Sequence, residues 1–241
     1  MTVTAQSVPI LKDNYAWLLK DSQTGATAIV DPADAAPIIA AIENAGGRLD
    51  MILLTHHHND HIGGVEEVRA KYKCPVVGAA ADAHRLPKLD QAVKEGDVVK
   101  LGNASGIVID TPGHTIGQIN FYFPDGPILL SGDTLFSLGC GRLIEGNAGQ
   151  MFESLRKLAA LPGNTLVCCG HEYTESNAKF ALSIDPDNAA LQAMVGEVGR
   201  LRAAGKPSVP SLMSNERVAN PFLTAPDVAS LADARAKKDK F

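Results

Sequence analysis

The sequence predicts an α/β fold with a small helical appendage, and three observations lead there. Through about residue 170, short apolar runs alternate with turn residues and amphipathic helical stretches, the layout of a sheet flanked by helices. From residue 171 onward strand-like runs disappear and the pattern becomes helical. At 241 residues the chain can bury a sizeable core, either as one large domain or as one domain with a smaller addition. The expected division is a catalytic domain over 1–170 and a helical domain over 171–241.

In chain order, strands are expected at Thr27–Val30, Met51–Leu54, Val98–Leu101, Gly106–Ile109, Ile119–Phe123, Ile128–Leu130 and Leu166–Cys169, each a short apolar run bounded by turn residues. Pro124-Asp125-Gly126-Pro127 reads as a tight turn between two of them. The first helix is expected at Ala35–Ala45, where Ile38, Ile39 and Ile42 form one stripe and Gly46 ends it. Others follow at Val65–Tyr72 and Gln150–Ala160, then at Glu175–Ile184, Ala189–Ala204 and Val228–Lys238. Gly205–Asn220, rich in Pro and Ser, reads as a connecting loop.

With 45% hydrophobic and 20% charged residues, the chain has enough apolar surface to offset its conformational entropy. A net charge of −5 argues against a general nucleic-acid binder. No apolar stretch approaches the roughly 20 residues that span a bilayer, and Met1–Ile10 has neither the basic start nor the apolar run of a signal peptide. The four cysteines, Cys74, Cys140, Cys168 and Cys169, lack paired spacing. Reduced thiols in the cytoplasm are therefore expected. The partner is expected to be a small molecule rather than nucleic acid or membrane, and the protein a monomer.

Four apolar runs each end in a turn holding metal-ligand residue types. They are Met-Ile-Leu-Leu-Thr before His56, Ile-Val-Ile-Asp-Thr-Pro-Gly before His114, Ile-Leu-Leu-Ser-Gly before Asp133, and Leu-Val-Cys-Cys-Gly before His171. Strand ends let a rigid sheet aim side chains at one point. In an extended loop His56 and His58 point to the same side and can reach one ion, while Asp60 and His61 turn toward a second. A pair of ions roughly 3.5–4 Å apart needs a carboxylate able to touch both, and Asp133 is the natural choice. His114 then completes the first shell and His171 the second. His84 and His57 read instead as solvated or hydrogen-bonded side chains, His57 because it alternates away from its neighbours. Four titratable residues bunched at His56, His58, Asp60 and His61 behind an apolar strand would contribute nothing to packing.

The pattern His-x-His-x-Asp-His, a later Thr-Pro-Gly-His, then Ser-Gly-Asp and Gly-His, resembles the metallo-β-lactamase superfamily across the first domain. Gly139-Cys140-Gly141-Arg142, His171-Glu172-Tyr173-Thr174, Asn220-Pro221-Phe222 and Arg235-Ala236-Lys237-Lys238-Asp239 extend the resemblance, to the hydroxyacylglutathione hydrolase (glyoxalase II) family, over nearly the whole chain. The resemblance implies an αββα sandwich with a small helical C-terminal domain that helps bind glutathione. It implies that His56, His58 and His114 hold one ion, that Asp60, His61 and His171 hold the other, and that Asp133 bridges. It places glutathione contacts on Arg142, Tyr173, Arg235 and Lys238. Ile144, where relatives often carry an aromatic residue, and Thr224, where Arg is common, depart from the family pattern.

The resemblance implies hydrolysis of S-D-lactoylglutathione to glutathione and D-lactate, the second step of methylglyoxal detoxification. Its nucleophile would be a hydroxide between two divalent ions, zinc in first place with iron and manganese as alternatives. Asp60 and Asp133 are ligands first and proton carriers second. Without the resemblance, Arg142 reads as a solvated loop cation, Tyr173 as a packing residue, and Arg235 with Lys238 as complements to a helix C-terminus. A lactonase or nuclease on the same scaffold would share the metal ligands, a sulfur-oxidising mononuclear iron dioxygenase also resembles the superfamily, and a metal-storage or scaffold protein would bind metal without turnover.

Overall fold

A computed structural model describes residues 2–241. The chain divides into two compact units. The first runs through Asp110 and resumes at Gly117–Gly132; the second comprises Thr111–Ile116 and Asp133–Phe241.

The first unit begins with β1 (Val3–Ile10), β2 (Asn14–Asp21), β3 (Thr27–Val30), helix α1 (Ala35–Asn44) and β4 (Met51–Leu53). It continues with α2 (Asn59–Ile62), α3 (Val65–Tyr72), β5 (Val76–Ala79), β6 (Gln91–Val93), β7 (Val98–Leu101), β8 (Ala104–Asp110), β9 (Ile119–Phe123) and β10 (Ile128–Gly132). Strands β1 to β6 form one sheet in sequence order, antiparallel through β3 and parallel from β3 onward. Strands β7 to β10 pair antiparallel, each with the next.

Helix α1 starts because Asp34 accepts a hydrogen bond from Ala36 N at 3.3 Å, supplying a partner to a first-turn amide. Its Ile38 and Ile42 and the Val65 and Val68 of α3 are buried against Ile29, Ile52 and Val76 of the first sheet. Each such side chain contributes about 1.5–3 kcal/mol on burial.

Sheet register decides where the polar residues emerge. Because β3 and β4 are parallel, with Val30 opposite Leu53, the residues that follow them, Asp31 and Thr55–His56, leave at the same edge. Strands β8 and β10 are each antiparallel to β9, so they run in one direction and their ends, Asp110 and Gly132, also share an edge. Gly132 has φ +46° there, and a Cβ on it would lie 2.5 Å from Thr55 Oγ1, so glycine alone fits.

The second unit contains β11 (Leu135–Phe136), β12 (Gly139–Cys140), α4 (Ala148–Ala159), β13 (Leu166–Cys169), α5 (Thr174–Ile184), α6 (Ala189–Ala203), β14 (Ser211–Leu212), α7 (Met213–Ala219) and α8 (Val228–Lys238). Three of its helices start on side-chain caps: Asn147 with Gln150 forms a capping box on α4, Asn188 caps α6 and Asp227 caps α8. Leu138, Ala178, Ala181, Leu191 and Ala219 form a core of this unit.

Several elements lie outside the sequence expectation, among them β5, β6, β11, β12 and α2. The stretch read as a loop over Gly205–Asn220 contains β14 and α7. Helix α7 buries Met213, Glu216 and Ala219 on one face, and a glutamate in that stripe disguises the apolar period. Strands β1 and β2 were also not predicted: β1 carries Gln6 and Ser7 where alternation should show, and β2 is buried on both faces and does not alternate.

Candidate metal centre

The apolar strand β4 drives the chain into a turn at Thr55–His56, and that turn is locked by Asp31. One carboxylate oxygen, Oδ1, accepts from Thr55 N at 2.8 Å; the other, Oδ2, accepts from Thr55 Oγ1 at 2.7 Å. Asp31 Oδ2 also lies 3.0 Å from His61 Nδ1. An ionised carboxylate accepts only, so the His61 proton sits on Nδ1 and Nε2 presents its lone pair. Ligand atoms of Asp31, His56 and His61 lie within 4.8 Å of one another.

His56 Nε2 faces His58 Nδ1 at 3.1 Å. Two imidazole nitrogens turned together suit either one shared proton or one cation accepting both lone pairs. The short helix α2 delivers Asp60 and His61, whose Oδ2 and Nε2 are 3.8 Å apart. Asn14, buried at the start of β2, donates to Asp60 O at 3.0 Å and to its Oδ2 at 3.1 Å, fixing the carboxylate. His57 turns instead to Asp82, with Nδ1 2.9 Å from Oδ2, while Arg85 Nε donates to the other Asp82 oxygen at 2.5 Å. His84 is exposed.

In the second unit His114 Nδ1 is 2.8 Å from Arg142 O, a carbonyl that can only accept, so the His114 proton lies on Nδ1. The opposite nitrogen, Nε2, is 3.5 Å from Asp133 Oδ2. His171 Nε2 is 3.4 Å from the same oxygen. All three side chains are buried. Gly141 packs so tightly on the Asp133 carbonyl that no Cβ fits there.

Tyr173 stacks its ring on His171 with centroids 4.5 Å apart and planes 9° from parallel. Arg142 is exposed, with Nε 3.9 Å from Asp239 Oδ1. Arg235 is buried: Nη1 donates to Cys140 O at 2.8 Å, Nη2 meets Asp239 Oδ1 at 2.9 Å, and the guanidinium lies over Phe222. Lys238 donates to Ser176 O at 2.9 Å and to Ser176 Oγ at 2.8 Å. Burial, and secondly the charge of Arg235, bring the Lys238 ammonium down to about 8.

Asp31, Asn14 and Asp239 were missed as supporting groups. Asp31 had a visible signal, since it stands in Val-Asp-Pro at the end of an apolar run, the same arrangement that marked the candidate ligands. Asn14 had none, because its contact is made across 46 positions of sequence.

The donor chemistry fits divalent cations. Carboxylates and imidazoles supply the donors, and the tautomers of His61 and His114 are set by acceptors on their far sides, as outer partners of metal ligands commonly do. Thiolates are not part of it: burial pushes Cys169 up to about 12 and Cys168 well above the ordinary thiol value.

Residues 11–171 match the family described as Metallo-beta-lactamase superfamily, and residues 172–241 match Hydroxyacylglutathione hydrolase C-terminus. Hydroxyacylglutathione hydrolase of Ruegeria pomeroyi is 51% identical, with all of both chains covered. That of Acidiphilium cryptum is 53% identical over 99% of this chain and 97% of its own. Among solved structures, ETHE1 from Myxococcus xanthus superposes with a TM-score of 0.74 at 23% identity, covering 97% of this chain and 90% of that one. A protein crystallised in a di-iron-bound form is similar over 70% of this chain and 91% of its own, with a TM-score of 0.59 and 28% identity.

Proposed function

The chain belongs to the hydroxyacylglutathione hydrolase family of the metallo-β-lactamase superfamily, and we propose how its own residues serve that reaction. It is an α/β enzyme of the glyoxalase II type, converting an S-(2-hydroxyacyl)glutathione into glutathione and the 2-hydroxy acid. Its histidines and aspartates form a centre for divalent metal ions.

The proposed ligands are His56, His58 and His114 for one ion, Asp60, His61 and His171 for the other, and Asp133 for both. The observation that carries this reading is the single Asp133 oxygen lying 3.5 Å from His114 and 3.4 Å from His171. Bound there, two such ions would supply positive charge for the developing oxyanion and would lower the pKa of water to about 7. Zinc is the proposed occupant, with iron and manganese compatible with the same nitrogen and oxygen donors.

The protein's part is then positioning. Asp31 and the Arg142 carbonyl hold the protons of His61 and His114 away from the ions. Asp60 and Asp133 supply negative charge and hold the water. The departing glutathione sulfur is a stable thiolate near neutral pH, so no side chain need protonate it. Arg142, with Tyr173 stacked against His171, is proposed to meet the glutathione moiety, and Arg235 and Lys238 to act on its glycine carboxylate. The domain division proposed is 1–170 for the metal centre and 171–241 for glutathione. No helix of the described residues is long and apolar enough to cross a membrane; a cytoplasmic monomer acting on a small thioester is proposed.

The deciding experiment is a thioesterase assay with S-D-lactoylglutathione on protein of measured metal content. Turnover with close to two ions per chain is expected; full activity with only one ion would remove the shared-carboxylate reading.

A further inference from the structure

Between Asp133 and Arg142 the chain makes a hairpin, β11 and β12 joined by Ser137 and Leu138. Leu138 sits at φ +55°, a left-handed backbone in which the Cβ of an L-residue crowds the following carbonyl. Such conformations persist only where the surroundings over-determine them. Here the surroundings are helix α7 and the residue after it. Glu216, fully buried, accepts from Leu138 N at 2.8 Å through Oε2. Asn220, also fully buried, directs its amide nitrogen to Phe136 O at 3.2 Å, Gly139 O at 3.1 Å and Glu216 Oε2 at 3.0 Å. Its own Oδ1 accepts from Phe222 N at 3.0 Å, which settles the orientation of the amide.

The far end of the hairpin is tied to the metal centre. Gly141 N donates to Thr134 O at 3.2 Å, Gly141 abuts the Asp133 carbonyl, and Arg142 O holds the proton of His114. A relaxation of Leu138 toward the right-handed region would therefore move both Asp133 and the Arg142 carbonyl.

We infer that Glu216 and Asn220 are positioning residues for the thioester hydrolysis, clamping the strained Leu138 hairpin so that Asp133 and His114 face the ions in register. The inference rests on the roles given above to Asp133 and His114. Neither Glu216 nor Asn220 touches substrate or metal; both act through the backbone of residues 136–142.

The test uses the full chain loaded with zinc, as Glu216→Ala, Glu216→Gln and Asn220→Asp, well below each variant's Tm. Glu216→Ala removes the acceptor of Leu138 N–H, and Asn220→Asp removes the donors to Phe136 and Gly139 while still accepting from Phe222. Both should speed amide hydrogen exchange in residues 136–141, weaken zinc retention against a chelator by about tenfold or more, and lower kcat. Glu216→Gln keeps a carbonyl acceptor for Leu138 and should recover most of the zinc affinity lost in Glu216→Ala. A fall in Tm alone, with zinc affinity, kcat and hairpin exchange unchanged, would overturn the inference. If Glu216→Ala does not fold, Asn220→Asp gives the same readings. Asp133→Ala run in parallel separates the two claims: retention of both ions by that variant defeats the ligand reading, whereas an intact Asp133 effect beside silent Glu216 and Asn220 variants defeats only the clamp.

Discussion

Oδ2 of Asp133 lies 3.4 Å from Nε2 of His171, too long for a strong charge-assisted hydrogen bond and suited to two atoms that face a common third. The same oxygen is 3.5 Å from His114. Asp133→Ala is therefore expected to lose both ions together and to reduce kcat/KM by about a thousandfold or more, the several kcal/mol that metal catalysis supplies. His84→Ala, which alters an exposed side chain, should stay within about twofold of the parent. Elemental analysis alongside kinetics checks both, and one ion retained at full strength in Asp133→Ala would break the pairing.

Asp31 governs the tautomer of His61. Replacing it with asparagine offers His61 Nδ1 an amide donor, and an imidazole that accepts there must carry its proton on Nε2, where the lone pair was needed. Asp31→Asn should retain the fold yet weaken metal binding by about ten- to a hundredfold. Zinc titration against a chromogenic chelator reads this directly, and unchanged affinity would mean that His61 is not a ligand.

How far the sequence alone led follows from these residues. His56, His58, Asp60, His61, His114, Asp133 and His171 stood out as candidate ligands because they follow apolar runs, where a polar, titratable side chain has no packing reason to be. Strands β3, β4, β9 and β10 were visible because apolar residues dominate them. Helix α7 was hidden because the residue at the centre of its buried face is Glu216, whose carboxyl accepts from Leu138 N of a distant hairpin and from the Asn220 amide. The engagement of Arg235 was hidden too, since its partner Cys140 O lies 95 positions away. Local period reveals elements and candidate strand-end ligands, whereas long-range polar pairing is settled by the tertiary fold.

Glu216 gives a prediction on stability. Burial raises its pKa above the ordinary 4.5, against which its hydrogen bonds act in the opposite direction. For an acid raised on folding, the contribution to stability is complete below the unfolded value and is lost as pH climbs through the folded one. Glu216→Gln cannot ionise, so its Tm relative to the parent should rise from about pH 4.5 upward and level off once the buried carboxyl has ionised. Thermal scans of both proteins across that range provide the check, and a pH-independent difference would show that folding does not disfavour the charge.

Lys238 gives the last prediction, on substrate affinity. Its ammonium is brought down to about 8, first by burial and then by Arg235, so the free enzyme loses this charge in mildly alkaline solution. If Lys238 meets the glycine carboxylate of glutathione, binding favours the charged form, and KM should be flat below pH 8 and rise above it while kcat stays nearly constant. A charge-assisted hydrogen bond is worth about 1.5–3 kcal/mol, and partial exposure favours the lower end, which corresponds to roughly a tenfold change in KM. Lys238→Met should show the raised KM at every pH, because it has no charge to lose. Lys238→Arg keeps its charge throughout and should remove the alkaline rise, although the wider guanidinium must refit around Ser176. The decisive comparison is a substrate whose glycine carboxylate is amidated: its KM should be indifferent both to pH above 8 and to the Lys238 substitutions. Parallel losses for the acid and the amide would place Lys238 wholly in the support of α8, through Ser176 and the rings of Phe180 and Phe241. Recognition of glutathione would then fall to Arg142 and Tyr173, with Arg235 retained for its hold on Cys140 and Asp239.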